Sequence, residues 1–281
     1  MLPEFKQMLS IELGGKLSNA ERELLPTGFQ IIGDIAIVQL KEPLHKLKQE
    51  IAEIILKNFP NRIKAVCLKS GEIMGEFREP KIERLAGNGL ETVHRENECL
   101  FKMDVSKVMF AKGNVNERRR IASLVKAGEI IVDMFAGLGY FTIPIAVLSK
   151  AKKIYSIEKN PVAFHYLKEN LVLNRVGGKV VPIEGDCVEK APAIGKIADR
   201  VLLGYLPAPK FALPAAFAVA KEGAKMHYEG VWYEFDSIEN VFGDVIEGAK
   251  KANRKVALEH VQRVKSFGPH RYHVVLDVAL D

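Results

Sequence analysis

The rhythm of apolar and polar positions changes once along this chain. Residues 1–16 suit a short helix. The stretch GFQIIGDIAIVQL, around Gly28–Val38, predicts two strands joined by a Gly-Asp turn. Lys46–Asn58 repeats apolar residues at helical spacing through Ile51, Ile54, Ile55 and Leu56. Residues 63–110 then predict short strands broken at Gly71-Glu72 and at Gly87-Asn88-Gly89. This portion predicts a small α+β unit.

From about residue 115 the pattern alternates. Asn116–Val125 predicts a helix and Glu129–Phe135 a dense apolar strand. Helix Gly139–Leu148, strand Lys153–Glu158, helix Pro161–Asn174 and strand Val180–Glu184 follow. After a short helical piece come strand Arg200–Leu203 and a helix near Phe211–Lys221. Arg254–Asp281 closes the chain with two β-rich stretches around Gly268-Pro269. Strands alternating with helices of this length predict a mostly parallel, doubly wound sheet covered on both faces. We place a domain boundary near residue 100, giving an N-terminal domain over 1–100 and a catalytic domain over 101–281.

Composition narrows the class. The 281 residues carry 41 Lys and Arg against 35 Asp and Glu, a net charge of +6 that is compatible with a polyanionic partner without demanding one. No apolar run reaches bilayer length, and the first residues lack the order of a secretory signal. Cys67, Cys99 and Cys187 stand far apart, and the histidines form no ligand cluster. We therefore expect a cytoplasmic protein without a disulfide framework, without metal and without a membrane.

The strongest chemical signal is DMFAGLGYF, Asp133–Phe141, which ends a predicted strand and opens a helix. Gly137 and Gly139 permit a tight bend and close approach of a ligand, and the helix start offers free N–H groups. A dinucleotide fold would want G-x-G-x-x-G, but Tyr140-Phe141-Thr142 follows Gly139. The acid Asp133 also disfavours a pyrophosphate. One βαβ unit on, Glu158 ends SIEKNP, at the spacing where a carboxylate accepts both hydroxyls of a ribose. Lys159 follows, and Asn160-Pro161 predicts a capped helix start. Next comes Glu184-Gly185-Asp186-Cys187, where an acid can accept from an adenine amine with the thiol packed on the ring. Without its neighbours this would read as an ordinary strand-to-turn Gly-Asp. Together these favour S-adenosylmethionine over a dinucleotide.

DMFAGLGYFTIPIA, SIEKNPVAFHYLKENLVLN, EGDC and DVSKVMFAKGNVNER (Asp104–Arg118) resemble class I methyltransferases. More narrowly, they resemble the family of tRNA guanine-N1 methyltransferases and wybutosine-synthesising enzymes. The resemblance runs through most of residues 95–275. It implies a Rossmann-like α/β class I methyltransferase fold preceded by a small α+β domain, with S-adenosylmethionine as co-substrate and the anticodon region of tRNA as partner. No protein partner is implied. For cofactor contacts it suggests Ser106, Lys107, Gly113, Asp133, Phe135, Gly137, Gly139, Glu158, Lys159, Asp186 and Cys187. Glu117 is its candidate base and Arg118 its anchor for a carboxylate or phosphate, although both also suit the solvated first turn of a helix.

Two departures matter. Gly204 stands where base-methylating relatives carry an Asn that helps place the target base, and FAKGN (Phe110–Asn114) replaces their F-S-P-R. Both departures match the branch that moves a 3-amino-3-carboxypropyl group onto C7 of 4-demethylwyosine beside the anticodon. Guanine-N1 methylation is the alternative. Tyr205 and Pro207 are expected to wall the base pocket. Lys112, Lys265 and Arg271 are expected to meet RNA, within a wider basic set of Arg119, Arg120, Lys250, Lys251, Arg254 and His270.

Overall fold

The computed structural model describes residues 5–71 and 75–281; Glu72 of the expected Gly71-Glu72 turn and the first four residues of the expected N-terminal helix lie outside these. The chain divides into two compact units. One runs to Arg95 and includes Lys102–Phe110, whereas the other comprises Glu96–Phe101 and Ala111–Asp281.

The first unit contains α1 (Phe5–Leu13), α2 (Asn19–Leu24), β1 (Gln30–Ile32), β2 (Ile35–Val38), α3 (Lys48–Asn58), β3 (Ala65–Lys69) and β4 (Ile82–Gly87). A capping box starts α2, with the Ser18 hydroxyl accepting from Glu21 N–H and the Glu21 carboxylate accepting from Ser18 N–H. The strands form a sheet in the order β1-β2-β3-β4, with the expected Gly33-Asp34 turn between β1 and β2. Leu9, Leu44, Ile51, Ile55 and Val66 are buried together as its core. Strands β5 (Glu91–Glu96) and β6 (Cys99–Asp104) make a two-stranded sheet whose tip belongs to the second unit.

The second unit runs α4 (Val115–Leu124), β7 (Ile130–Asp133), α5 (Thr142–Leu148), β8 (Lys153–Glu158), α6 (Pro161–Leu173), β9 (Val180–Glu184), α7 (Cys187–Ile194) and β10 (Ala198–Leu203). It ends with α8 (Leu213–Val219), β11 (Ala220–Tyr233), α9 (Glu239–Lys251), β12 (Val256–Gly268) and β13 (Arg271–Leu280). Seven strands form one sheet in the order β12-β13-β11-β10-β7-β8-β9. Neighbours from β11 to β9 are parallel, and β13 runs antiparallel to β11 and β12. On one face Val201, Leu203, Phe217, Met226, Val245 and Leu276 pack into a single core.

Two elements differ from the sequence expectation. The helix near Phe211–Lys221 stops at Val219, and the chain turns at once into β11, a strand of 14 residues. The sequence pattern assigns no strand to KEGAKMHYEGVWY, yet pairing on both sides holds it between β10 and β13. Helix α9 then fills a stretch left unassigned.

The asparagines of KENLVLN tie elements together. Asn170 Nδ2 donates to the Leu138 carbonyl at 3.0 Å, fixing the glycine loop from behind. Asn174 accepts from Leu100 N–H and donates to Leu100 O, as a strand partner would. Arg118 holds the other side of that hairpin tip. Its guanidinium forks onto Glu96 at 2.5 and 2.9 Å and reaches the Ala111 carbonyl, with only 1% of the residue exposed. Removing one member of a buried pair costs about 3–5 kcal/mol. Arg118→Ala should therefore lower the melting midpoint by roughly 10 °C. An unchanged midpoint in a thermal scan would show that the fork does not hold the fold.

Candidate active site

Three strand ends and one glycine bend converge in the second unit. After β7 the backbone takes φ +57 at Gly137 and +105 at Gly139. A side chain at Gly137 would drive into the Tyr140 ring, and one at Gly139 would meet Ile143 at 2.6 Å. The Glu158 carboxylate, at the end of β8, accepts from Gly137 N–H at 2.6 Å and from Asn160 N–H at 2.7 Å. It thereby clasps the glycine bend to the start of α6, where Asn160 caps Val162 N–H and Pro161 takes the first helical position. Burial raises the Glu158 pKa despite these bonds.

Asp133 is wholly buried beneath the bend. It accepts from Thr142 Oγ1 at 2.8 Å, and Thr142 in turn meets Ser156 at 2.7 Å. Burial, reinforced by Glu158 and Glu229, pushes Asp133 up to about 7. Asp186 caps α7 through Val188 N–H and pairs with Lys159 at 3.0 Å, and these hold its pKa below the usual range. Burial raises the adjacent Cys187 thiol to about 12.

Beyond β10, Tyr205 stands 5.2 Å from Phe135, and Phe211 closes an aromatic trio at 5.9 Å from Phe135 and 5.6 Å from Tyr205. Pro207 is exposed, and its carbonyl accepts from Val231 N–H of β11. At Gly204, next in sequence to Tyr205, a pocket of about water size is lined by Glu117, Ile121, Phe141, Leu202, Leu203, Gly204, His227, Glu229 and Val275.

Glu117 is committed to a buried network. Both of its oxygens accept from Arg120, at 2.8 and 2.7 Å, and Arg120 also forks onto Asp277. Asp277 meets His227 Nδ1, while His227 Nε2 meets Arg200, which bridges to Glu129. Arg200 has only donors, so His227 accepts at Nε2 and donates from Nδ1. A neutral imidazole fits its pKa, which burial lowers. Burial likewise raises Glu117.

The sequence-derived residues thus separate into groups. Asp133, Phe135, Gly137, Gly139, Glu158, Lys159, Asp186 and Cys187 sit around the strand ends. Tyr205 lies beside Phe135, Pro207 stands exposed two residues on, and Glu117 lines the pocket at Gly204. Arg118 is spent on Glu96 within the protein. Ser106 and Lys107 belong to the first unit, where Ser106 Oγ donates to Asp104 at 2.6 Å and Lys107 lies 3.7 Å from it. Lys112 and Gly113 are exposed, and the Lys265 side chain passes against Gly113. The Arg271 guanidinium lies over Gly268. Sequence reading missed Phe211, Glu229 and His273. An aromatic after the Pro207-Ala208-Pro209 stretch was the available sign for Phe211, whereas the other two depend on strand register.

Residues 92–261 match the TRM5/TYW2 methyltransferase domain and residues 9–90 the TYW2 N-terminal domain. A relative from Methanocaldococcus jannaschii, tRNA(Phe) (4-demethylwyosine(37)-C(7)) aminocarboxypropyltransferase, is 39% identical over 90% of this chain and 98% of its own. The tRNA (guanine(37)-N(1))-methyltransferase Trm5b of Pyrococcus abyssi is 36% identical over 91% and 76%. A crystal structure of Pyrococcus horikoshii TYW2 in complex with MeSAdo superposes with a TM-score of 0.85 at 34% identity, covering 98% of each chain.

Asp133 holds its proton more tightly folded than unfolded. Its contribution to stability is therefore complete below the ordinary carboxylate range and is lost as pH rises to about 7. An amide keeps the bond to Thr142 without a charge to desolvate. Between pH 5 and 8 wild-type unfolding free energy should fall by about 3 kcal/mol more than that of Asp133→Asn. Parallel pH profiles in urea melts would contradict the buried, proton-sharing state.

Proposed function

The chain belongs to the TRM5/TYW2 methyltransferase family, and from that membership we propose that it moves the 3-amino-3-carboxypropyl group of S-adenosylmethionine to C7 of 4-demethylwyosine in tRNA. The observation that carries the choice is Gly204 just after β10, where the resemblance implies an Asn in base-methylating relatives, in a chain that matches an aminocarboxypropyltransferase over 90% of its length. The partner is tRNA at its anticodon region. Among the described residues no helix is long and apolar enough to cross a membrane, and no acidic, His or Cys group is suited to a metal. The reading implies a cytoplasmic site of action and requires no protein partner.

The residues present fit such a co-substrate. Glu158 presents a buried carboxylate beside a bend that a Cβ would fill, and Glu229 keeps a buried oxygen without a partner. S-Adenosylmethionine supplies a sulfonium already activated for displacement. The new C–C bond to C7 forms as the bond from sulfur to the methionine γ-carbon breaks, its electron pair stays on sulfur in methylthioadenosine, and C7 gives up its proton to Glu117, the candidate base that lines the pocket. The protein's task is then positioning.

In this reading Glu158 accepts from the ribose hydroxyls with the lone pairs its backbone bonds leave over. Phe135 and Cys187 flank the adenine, with Asp186 and Lys159 at its edge. Asp133, ionising near neutrality, answers positive charge above the bend. Tyr205, Phe211 and Pro207 wall a flat base. Glu117, fixed by Arg120, offers a carboxylate toward the acceptor, and Arg118 orders the hairpin tip. Ser106, Lys107 and Gly113 complete the cofactor contacts, while Lys112, Lys265 and Arg271 meet phosphates.

Two outcomes test this. With tRNA carrying 4-demethylwyosine, turnover should release methylthioadenosine in step with modified nucleoside; S-adenosylhomocysteine and a methylated guanosine would favour the Trm5b-like alternative. Glu158→Ala should weaken methylthioadenosine binding roughly 10- to 100-fold, as expected for losing a charge-assisted bond. Unchanged affinity by calorimetry would remove Glu158 from the ribose.

A further inference from the structure

The pocket at Gly204 holds a carboxylate oxygen that nothing answers. Glu229, on β11, is 5% exposed. Its Oε2 lies 3.2 Å from His273 Nε2, but out of line for a hydrogen bond. Its Oε1 and both ring nitrogens of His273 have no hydrogen-bond partner among the described residues. Buried polar groups are almost always paired, and an unpaired one is retained where something else supplies the partner. The other carboxylate lining the pocket, Glu117, has both oxygens occupied by Arg120. Glu229 is therefore the pocket carboxylate with an oxygen that no group of the protein occupies among the described residues.

Gly204 keeps that oxygen open. A Cβ at position 204 would lie 3.7 Å from Glu229 Oε1 and 3.3 Å from the Phe141 ring. Any side chain there would stand beside the carboxylate, and an Asn amide would satisfy it. Ile121, Phe141, Leu202, Leu203 and Val275 make the rest of the lining apolar apart from His227, whose two ring nitrogens are held by Asp277 and Arg200, so a hydrogen bond formed there is little diluted by water.

We infer that Glu229 determines acceptor specificity: its free carboxylate oxygen accepts a hydrogen bond from a ring N–H of the tRNA base, in the space that Gly204 leaves open. This rests on the reading of the chain as a tRNA base-modifying transferase. A carboxylate oxygen accepts hydrogen bonds, so it selects a base edge that carries hydrogen on nitrogen. A 4-demethylwyosine bears hydrogen where its N-methylated counterpart bears carbon. The same contact draws the N–H hydrogen away and enriches the conjugated ring carbon that must act as nucleophile. Glu229 thus aligns the base and excludes one already methylated on that nitrogen.

The test compares wild type with Glu229→Gln and Glu229→Met on tRNAs carrying 4-demethylwyosine or its N-methylated form. Wild type should prefer the demethylated base, and both variants should lose at least tenfold in kcat/KM on it and most of that preference. Replacing an unanswered buried carboxylate by an apolar side chain of similar shape relieves strain, so Glu229→Met should melt at or above the wild-type temperature. Methylthioadenosine affinity should stay unchanged in both. Gly204→Asn should lower kcat/KM as well, and combining it with Glu229→Gln should cost little beyond either alone. Wild-type kinetics and preference in Glu229→Gln and Glu229→Met, or an equal loss of methylthioadenosine affinity, would overturn the assignment while leaving the transferase reading intact. Failure of the wild type to release methylthioadenosine would overturn both.

Discussion

The catalytic unit is organised by carboxylates buried without matching positive charge. Asp133, Glu158 and Glu229 lie at or beside the ends of β7, β8 and β10; Asp133 accepts from Thr142, Glu158 from backbone N–H groups, and Glu229 keeps one oxygen without a partner among the described residues. Desolvation drives Asp133 and Glu158 toward protonation. The fold tolerates them because backbone N–H groups and hydroxyls supply partial compensation. What completes the balance is a cationic ligand above the glycine bend and a donor-bearing base below it.

A second set of buried charges behaves differently. Glu117, Arg120, Asp277, His227, Arg200 and Glu129 form a chain in which each link is paired. The fork of Arg118 on Glu96 belongs with them. Satisfied networks of this kind fix geometry and leave little affinity for a ligand. The pocket therefore has a rigid, neutralised frame on the α4 side and an unsatisfied carboxylate on the β11 side. Function concentrates where the pairing is incomplete.

Much of this was legible in the sequence because it is local. The alternation of strands and helices, the bend at Gly137 and Gly139, and the Asn160-Pro161 cap each depend on residues within a few positions. Other features depend on register. Glu229 pairs opposite Val275 and Val231 opposite His273, so Glu229 and His273 become diagonal neighbours on one sheet face. Nothing in either segment alone announces that meeting. Strand β11 was missed for the same reason, since its charged sequence is held extended by β10 and β13. Arg118 reads as a solvated helix start until the hairpin tip brings Glu96 against it.

The central claim is that buried carboxylates answer the positive charge of the co-substrate, and proton linkage measures it directly. Calorimetric titrations near pH 7, repeated in buffers of different ionisation enthalpy, report protons exchanged on binding. Cationic S-adenosylmethionine should release protons as Asp133 ionises beneath it, whereas uncharged methylthioadenosine should bind with little exchange. Equal, buffer-independent heats for both ligands would contradict the account.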